Sequence, residues 1–215
     1  MAYQYQKRTE FDLKGKQITI CSFCSPEQIS SLSFENTFTK YPSYNPIISS
    51  KKTLTKAAEQ PDTNVTLAFN TENEVFGFAV LEFPTSENRW VKVGEKIMME
   101  VSLIEISRPW RSLGVSQKLF DYLLDHPQKE SRIMYMVGYS WTWDLEGSGL
   151  QPMEYRGMMI KLFKTQGFNS VQTNEPNVLL RPENLFMARI GTNITEKIKK
   201  RFNLVKFNID PNIDD

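Results

Sequence analysis

The sequence predicts a mixed α/β (α+β) fold, with a central mixed sheet of about seven strands flanked by helices. Three observations carry this. Met99 to Ile106 is a strand-like run that feeds, through Trp110-Arg111-Ser112-Leu113-Gly114-Val115-Ser116, a helix-like run ending near His126. Val65 to Asn70 and Val75 to Phe83 are strand-like runs joined across Thr71-Glu72-Asn73-Glu74 as a hairpin. Further strands then alternate with an amphipathic helix. At 215 residues, 40% of them hydrophobic, the chain suits one core with at most an appendage.

The elements follow in order. Gln17 to Phe23 reads as a first strand, and Ser25-Pro26-Glu27-Gln28 as an N-cap, a proline at N1 and a capping-box glutamine that open a short helix. Tyr41 to Pro46 carries turn chemistry, and Ser50 to Glu59 is helical. After the hairpin, the polar stretch Pro84 to Gly94 leads to the Met99 strand, and Arg132 to Gly138 forms a fifth strand. Tyr155, Met158, Met159, Leu162 and Phe163 stand at i, i+3, i+4, i+7 and i+8, a stripe read as core packing and closed by Gly167 at C′. Phe168 to Thr173 and Leu185 to Ile190 supply the last two strands, separated by the turn-rich Asn174-Glu175-Pro176-Asn177. Residues 1–192 are therefore expected to form the domain, with residues 65–190 bearing its motifs. Residues 193–215 add a short basic helix, Thr195 to Phe202, and a frayed acidic tail from Asp210.

With 26 basic and 25 acidic residues, the chain has no charge asymmetry pointing to nucleic acid or a membrane surface. Met1 to Asp12 lacks the apolar run of a signal peptide, and no apolar stretch reaches about 18 residues, so a cytoplasmic protein is expected. Cys21 and Cys24 form C-x-x-C without the second pair or the histidines of a zinc site; the sole histidine is His126. No metal is expected. The pair reads as packing thiols, with redox or metal chemistry the alternative.

The Trp110–Ser116 stretch is the chemically informative one. A strand feeding a tight turn and a helix N-terminus leaves unpaired backbone N–H groups aimed outward, and the helix dipole adds to them, so a pyrophosphate can bind there. Gly114 and Ser116 allow close backbone approach, and Arg111 can add a charge-assisted contact to a phosphate oxygen. The form R-x-x-G-x-S resembles the coenzyme A loop of the GNAT-type N-acetyltransferases, commonly Q/R-x-x-G-x-G/A, with Ser116 a mild departure. Leu162-Phe163-Lys164-Thr165-Gln166-Gly167-Phe168 stands where many of them have L-Y-x-x-x-G-F. Ile104-Glu105-Ile106, Trp110-Arg111, Trp141 to Leu145, Glu154-Tyr155-Arg156, Asn174-Glu175-Pro176 and Met187 to Gly191 together resemble the acetoin-utilisation acetyltransferases within that family. The likeness spans Val65 to Ile190.

The resemblance implies the GNAT acyl-CoA N-acyltransferase fold, acetyl-CoA as cosubstrate, and a protein lysine as acceptor, with acetyl-CoA synthetase as the protein substrate that is thereby restrained. It implies cofactor contacts from the backbone of Ile104, Glu105 and Ile106 and from the loop Arg111, Ser112, Leu113, Gly114, Val115, Ser116 and Gln117. A lysine amine, with an ordinary pKa of about 10.4, must lose a proton before attacking a thioester, so a base is wanted. Glu100 and Glu105 are the candidates. Strand parity puts them on opposite faces unless a bulge re-aims one. Phe163 stands where the family commonly has a tyrosine that protonates the leaving thiolate, and Tyr139 or Tyr155 are possible substitutes. Tyr139, Trp141, Trp143 and Asp144, just past the fifth strand, read as the acceptor side together with Tyr155: an aromatic wall for a lysine stem, and a carboxylate to attract its ammonium. If that segment is extended, both tryptophans face one way. Two other readings remain open, a small-amine acetyltransferase and a non-catalytic CoA-binding partner that inhibits its target by masking it.

Overall fold

The computed structural model describes residues 5–40 and 51–211. The chain divides into two compact units, Met1–Glu82 with Val101–His126 and Phe83–Glu100 with Pro127–Asp215.

The first unit opens with a hairpin of β1 (Arg8–Leu13) and β2 (Lys16–Cys21), paired antiparallel. Its turn residues Lys14 and Gly15 both take positive φ, 54° and 83°, which matches the twist of a two-residue hairpin. β2 corresponds to the expected first strand; β1 offers only Phe11 and Leu13 as apolar signals and is an addition to the expected elements. α1 (Pro26–Ser31) starts as the sequence predicts, Ser25 Oγ accepting from Gln28 N–H while Gln28 Oε1 accepts from Ser25 N–H. β3 (Ser33–Phe34), α2 (Thr37–Lys40) and α3 (Lys51–Ala58) follow, and the turn expected at Tyr41 to Pro46 lies outside the described residues. β4 (Asn64–Asn70) and β5 (Glu74–Glu82) form the expected hairpin, with a register shift between Ala68 and Phe69. β2 pairs antiparallel with β4, and β3 pairs parallel with β5. β6 (Met98–Ile106) gives this unit Val101 to Ile106, next to β5. α4 (Val115–Leu124) turns Val115, Leu119, Phe120, Leu123 and Leu124 inward against β4 and β5.

Asn64 ties these pieces together. Fully buried, it accepts from Phe23 N–H at 2.7 Å and from the Thr66 hydroxyl at 3.0 Å, and donates to the carbonyls of Tyr122 and Leu123 at 3.2 and 2.8 Å. One amide thereby satisfies backbone groups at the bend after β2 and at the end of α4.

In the second unit, Met98 to Glu100 of β6 pairs parallel with β7 (Ile133–Gly138), and the ladder ends at Glu100 opposite Tyr135. α5 (Leu145–Ser148), α6 (Pro152–Lys164), β8 (Asn169–Ser170), α7 (Pro176–Leu179), β9 (Leu185–Ile190) and α8 (Glu196–Val205) complete it, with β9 antiparallel to both β7 and β8. Trp90 lies at the centre of its core, stacked on Phe186 at 4.7 Å and flanked by Tyr135 and Phe202. α8 contributes Phe202 and Val205 to that core, so this helix is a packed element of the unit.

Two expectations change here. The α6 stripe is only partly core: Phe163 is fully buried edge-on to Phe168, whereas Met158 is exposed. The strand expected from Phe168 to Thr173 shortens to β8, because Thr173 and Asn174 turn their side chains to the Lys206 and Phe207 carbonyls and to Arg89. Arg89 also pairs with Glu175 at 2.7 Å, and Pro176 opens α7 at its first turn. Among the described residues there are nine strands, β1 and β3 being the additions, and no helix is long and apolar enough to cross a membrane.

Candidate active site

In the first unit, the connection from β6 to α4 is built on Trp110. Its indole stacks on Phe76 at 3.8 Å and its Nε1–H donates to Glu35 at 2.7 Å, which anchors the start of the loop in the core. Beyond it the backbone turns through the left-handed region at Ser112 (φ 62°) and Gly114 (φ 80°). Gly114 is the N-cap of α4 and, having no side chain, supplies no side-chain cap to the first N–H groups of this ten-residue helix. A Cβ at Gly114 would meet nothing within 4 Å, so the backbone conformation requires the glycine and open space lies beside it. Ser112 and Gly114 are exposed. An uncapped N-terminus, a left-handed turn and room around it are the donor arrangement that suits a pyrophosphate.

Arg111 turns the other way. Its Nε–H donates to the Ile106 carbonyl at 2.9 Å and its Nη2 meets Glu105 Oε1 at 3.2 Å; the same oxygen accepts from Ile106 N–H at 3.1 Å. The guanidinium thus clips the loop to the end of β6. Gly77 allows the approach of β6: a Cβ there would lie 2.6 Å from Ile106 Cδ1 and 3.4 Å from the Glu105 carbonyl. A glycine inside the apolar strand Val75 to Glu82 is the sequence signal for this close approach. Leu103, Ile104 and Glu105 remain half-buried, while Ile106 is buried.

In the second unit, Glu100 occupies the last position of β6 paired with β7 and its Oε2 accepts from the Tyr135 hydroxyl at 2.8 Å. Burial and the neighbouring Glu100 charge push the Tyr135 phenol far above its ordinary value, so it holds its proton and serves as a fixed donor. Tyr135 is not among the residues expected at the site. A tyrosine inside the apolar run Ile133 to Met136 is its only signal, since a buried hydroxyl requires a partner.

The aromatic segment departs from its expected geometry. Ser140–Thr142 is a 3₁₀ turn, not an extended stretch, so Trp141 and Trp143 do not form one wall. Trp141, 45% exposed, stacks on Tyr139 at 4.9 Å, and the Arg181 guanidinium lies 5.7 Å from its ring centre. Trp143 stacks instead on Tyr155 at 5.0 Å and backs against Gly138. Asp144 is 2% exposed and its Oδ1 accepts from Gly147 N–H at 2.9 Å as the N-cap of α5. A buried capping carboxylate is not positioned to draw an ammonium from solvent, which corrects the role expected of it. Tyr139 is half-buried and its phenol is raised, burial outweighing an opposing hydrogen bond with Asn177.

No family model matches the chain. Acetoin utilization protein AcuA of Bacillus licheniformis is 27% identical over 183 residues, 85% of both chains, and AcuA of Bacillus subtilis is 26% identical over the same share. Among solved structures, the acetoin utilization protein from Exiguobacterium sibiricum superposes with a TM-score of 0.85 at 20% identity, covering 94% of each chain. The GNAT domain of S. lividans PAT gives a TM-score of 0.52 at 11% identity, covering 86% of this chain and 97% of that one. The chain is thus similar to AcuA in sequence across most of its length, and it has the GNAT fold.

Proposed function

We propose that the chain is an N-acetyltransferase that moves the acetyl group of acetyl-CoA onto a lysine of a protein, with acetyl-CoA synthetase as the substrate. The observation that carries this reading is the start of α4, where Gly114 at φ 80° leaves the helix without a side-chain cap and with open space beside it. On this reading those donors take the pyrophosphate of the cofactor. Acetyl-CoA supplies the activated thioester, and the chain binds, orients and moves a proton.

Backbone from Ser112 to Gln117 takes the phosphates. Because Arg111 and the Glu105 carboxylate already engage the carbonyl and N–H of Ile106, the pantetheine is assigned to the backbone of Ile104 and Glu105. One N–H aimed at the thioester oxygen as charge develops there lowers the barrier by about 3 kcal/mol.

Glu100 is the proposed base. Tyr135 fixes its carboxylate from one side at the end of the β6–β7 ladder, whereas the Glu105 carboxylate serves to clip Arg111 and the loop to the end of β6. Phe163, sealed against Phe168, offers no hydroxyl to the leaving group, and the raised phenols of Tyr135 and Tyr139 are poor acids. The coenzyme A thiol is acidic enough to leave as thiolate and take its proton from water. The exposed Trp141 with Tyr139, and Trp143 with Tyr155, serve the acceptor side as two separate stacks.

Incubation with labelled acetyl-CoA, and either acetyl-CoA synthetase or a polyamine as acceptor, tests the reading. Label carried by the protein acceptor supports it. Label on the polyamine alone would make the chain a small-amine acetyltransferase, and binding of acetyl-CoA with no transfer to either would favour masking.

A further inference from the structure

The acetyl-transfer chemistry leaves Cys21 and Cys24 unused. Cys21 ends β2, and Phe23 at φ 49° bends the chain so that Cys24 returns beside it, its Sγ–H donating to the Cys21 carbonyl at 3.2 Å. Both thiols are free and almost fully buried, yet both line one cavity of about 250 Å³. Arg8 lines it too, opposite Cys21 in the β1–β2 ladder and with its guanidinium 5.3 Å from the Phe69 ring centre. Two thiols three residues apart, facing one cavity beside a guanidinium, are more than packing requires.

The two sulfurs are also unequal. The interaction with the Cys24 side chain and, against the cost of burial, the Arg8 charge pull the Cys21 thiol down; the interaction with Cys21 and burial push Cys24 well up. This divides them into a nucleophile and a thiol that stays protonated until needed. The Arg8 charge opposes a soft metal cation in the same cavity, and near-complete burial excludes bulky disulfides while leaving access to a small reagent.

We propose that Cys21 and Cys24 are a dithiol–disulfide pair that reacts with small hydroperoxides entering this cavity. The Cys21 thiolate attacks the terminal peroxide oxygen; an S–O bond forms, the O–O bond breaks, and the alkoxide or hydroxide leaves and takes a proton from water, giving a sulfenic acid on Cys21. The Cys24 sulfur then attacks that sulfur, forming the S–S bond, and the hydroxyl departs with the Cys24 proton as water. Two electrons pass from the dithiol to the peroxide, which becomes an alcohol, or water if hydrogen peroxide is the oxidant.

The test uses the full reduced chain, hydrogen peroxide and intact-mass measurement without reductant. The expected product has lost two hydrogens, resists alkylation at both cysteines and is restored by a dithiol reductant. Cys24→Ser is expected to stop at the sulfenic acid, trapped by dimedone on Cys21, and Cys21→Ser to react about tenfold or more slowly. The unsubstituted chain decides the matter even if a variant fails to fold: thiols that oxidise only after denaturation would overturn the proposal. So would a dimedone adduct on Cys24 in Cys21→Ser that forms as fast as the Cys21 adduct in Cys24→Ser.

Discussion

Replacing Gly114 with valine tests the cofactor loop most sharply. Gly114 sits at φ 80° and ψ 6°, a region where an L-residue costs about 1–2 kcal/mol, and its Cβ position is open, so strain and not collision sets the effect on the free protein. For a chain of this size, 1 kcal/mol moves Tm by about 2–4 °C, so Gly114→Val should melt about 2–8 °C below the parent, and Gly114→Ala should fall in the same range. The cofactor effect runs separately. At a concentration about one hundred times Kd, acetyl-CoA stabilises the parent by about 2.7 kcal/mol, or about 5–11 °C. Valine fills the open space where the phosphates are assigned, so its cofactor-induced shift is expected to vanish, while alanine retains part of it. Thermal melts of the three proteins with and without acetyl-CoA make the comparison. Equal shifts in the parent and Gly114→Val would remove the start of α4 from the cofactor site.

Glu100→Gln should keep the acetyl-CoA shift and lower acetyl transfer at neutral pH by about 10²- to 10⁴-fold; full activity in this variant with an inactive but folded Glu105→Gln would move the base to the other carboxylate. Trp143→Ala removes a half-buried stack on Tyr155 and should cost about 1–2 kcal/mol, with the cofactor shift kept and affinity for the protein acceptor reduced; equal loss of both binding functions with stability would return Trp143 to the core. Glu130 is pulled down from 4.5 to about 2, chiefly by the Thr192 N–H and also by Arg189 and the Thr192 hydroxyl. Because its folded value lies below its unfolded one, its stabilisation is complete above about pH 4.5 and is lost as pH falls through about 2. The Tm difference between the parent and Glu130→Gln should therefore shrink across that window and disappear below it, and a difference independent of pH would refute the assignment.

Features set by local chemistry are legible in the sequence itself. The capping box at Ser25, the β4–β5 hairpin and the run from β6 through Gly114 into α4 depend on neighbours in the chain, and each forms where its residues indicate. Side-chain partners depend on packing at long range and are not legible in the same way. Strand parity separates Glu100 from Glu105, but does not reveal that Tyr135 holds one and Arg111 the other, because the first needs the β6–β7 register and the second needs the loop to fold back. Asp144 reads as an exposed carboxylate in sequence, and the turn at Ser140 makes it a helix cap. Phe11 and Leu13 alone do not mark β1, whose pairing with β2 supplies the rest of its definition.

Acetyl transfer to a protein lysine is tested most directly by peptide-level mass spectrometry of acetyl-CoA synthetase. The substrate is incubated with acetyl-CoA and with either the parent chain or Glu100→Gln. The expected result is an acetyl group on a defined lysine that requires both the parent chain and acetyl-CoA and is strongly reduced with the variant. An unmodified synthetase, in the presence of a parent chain that binds acetyl-CoA, would contradict it.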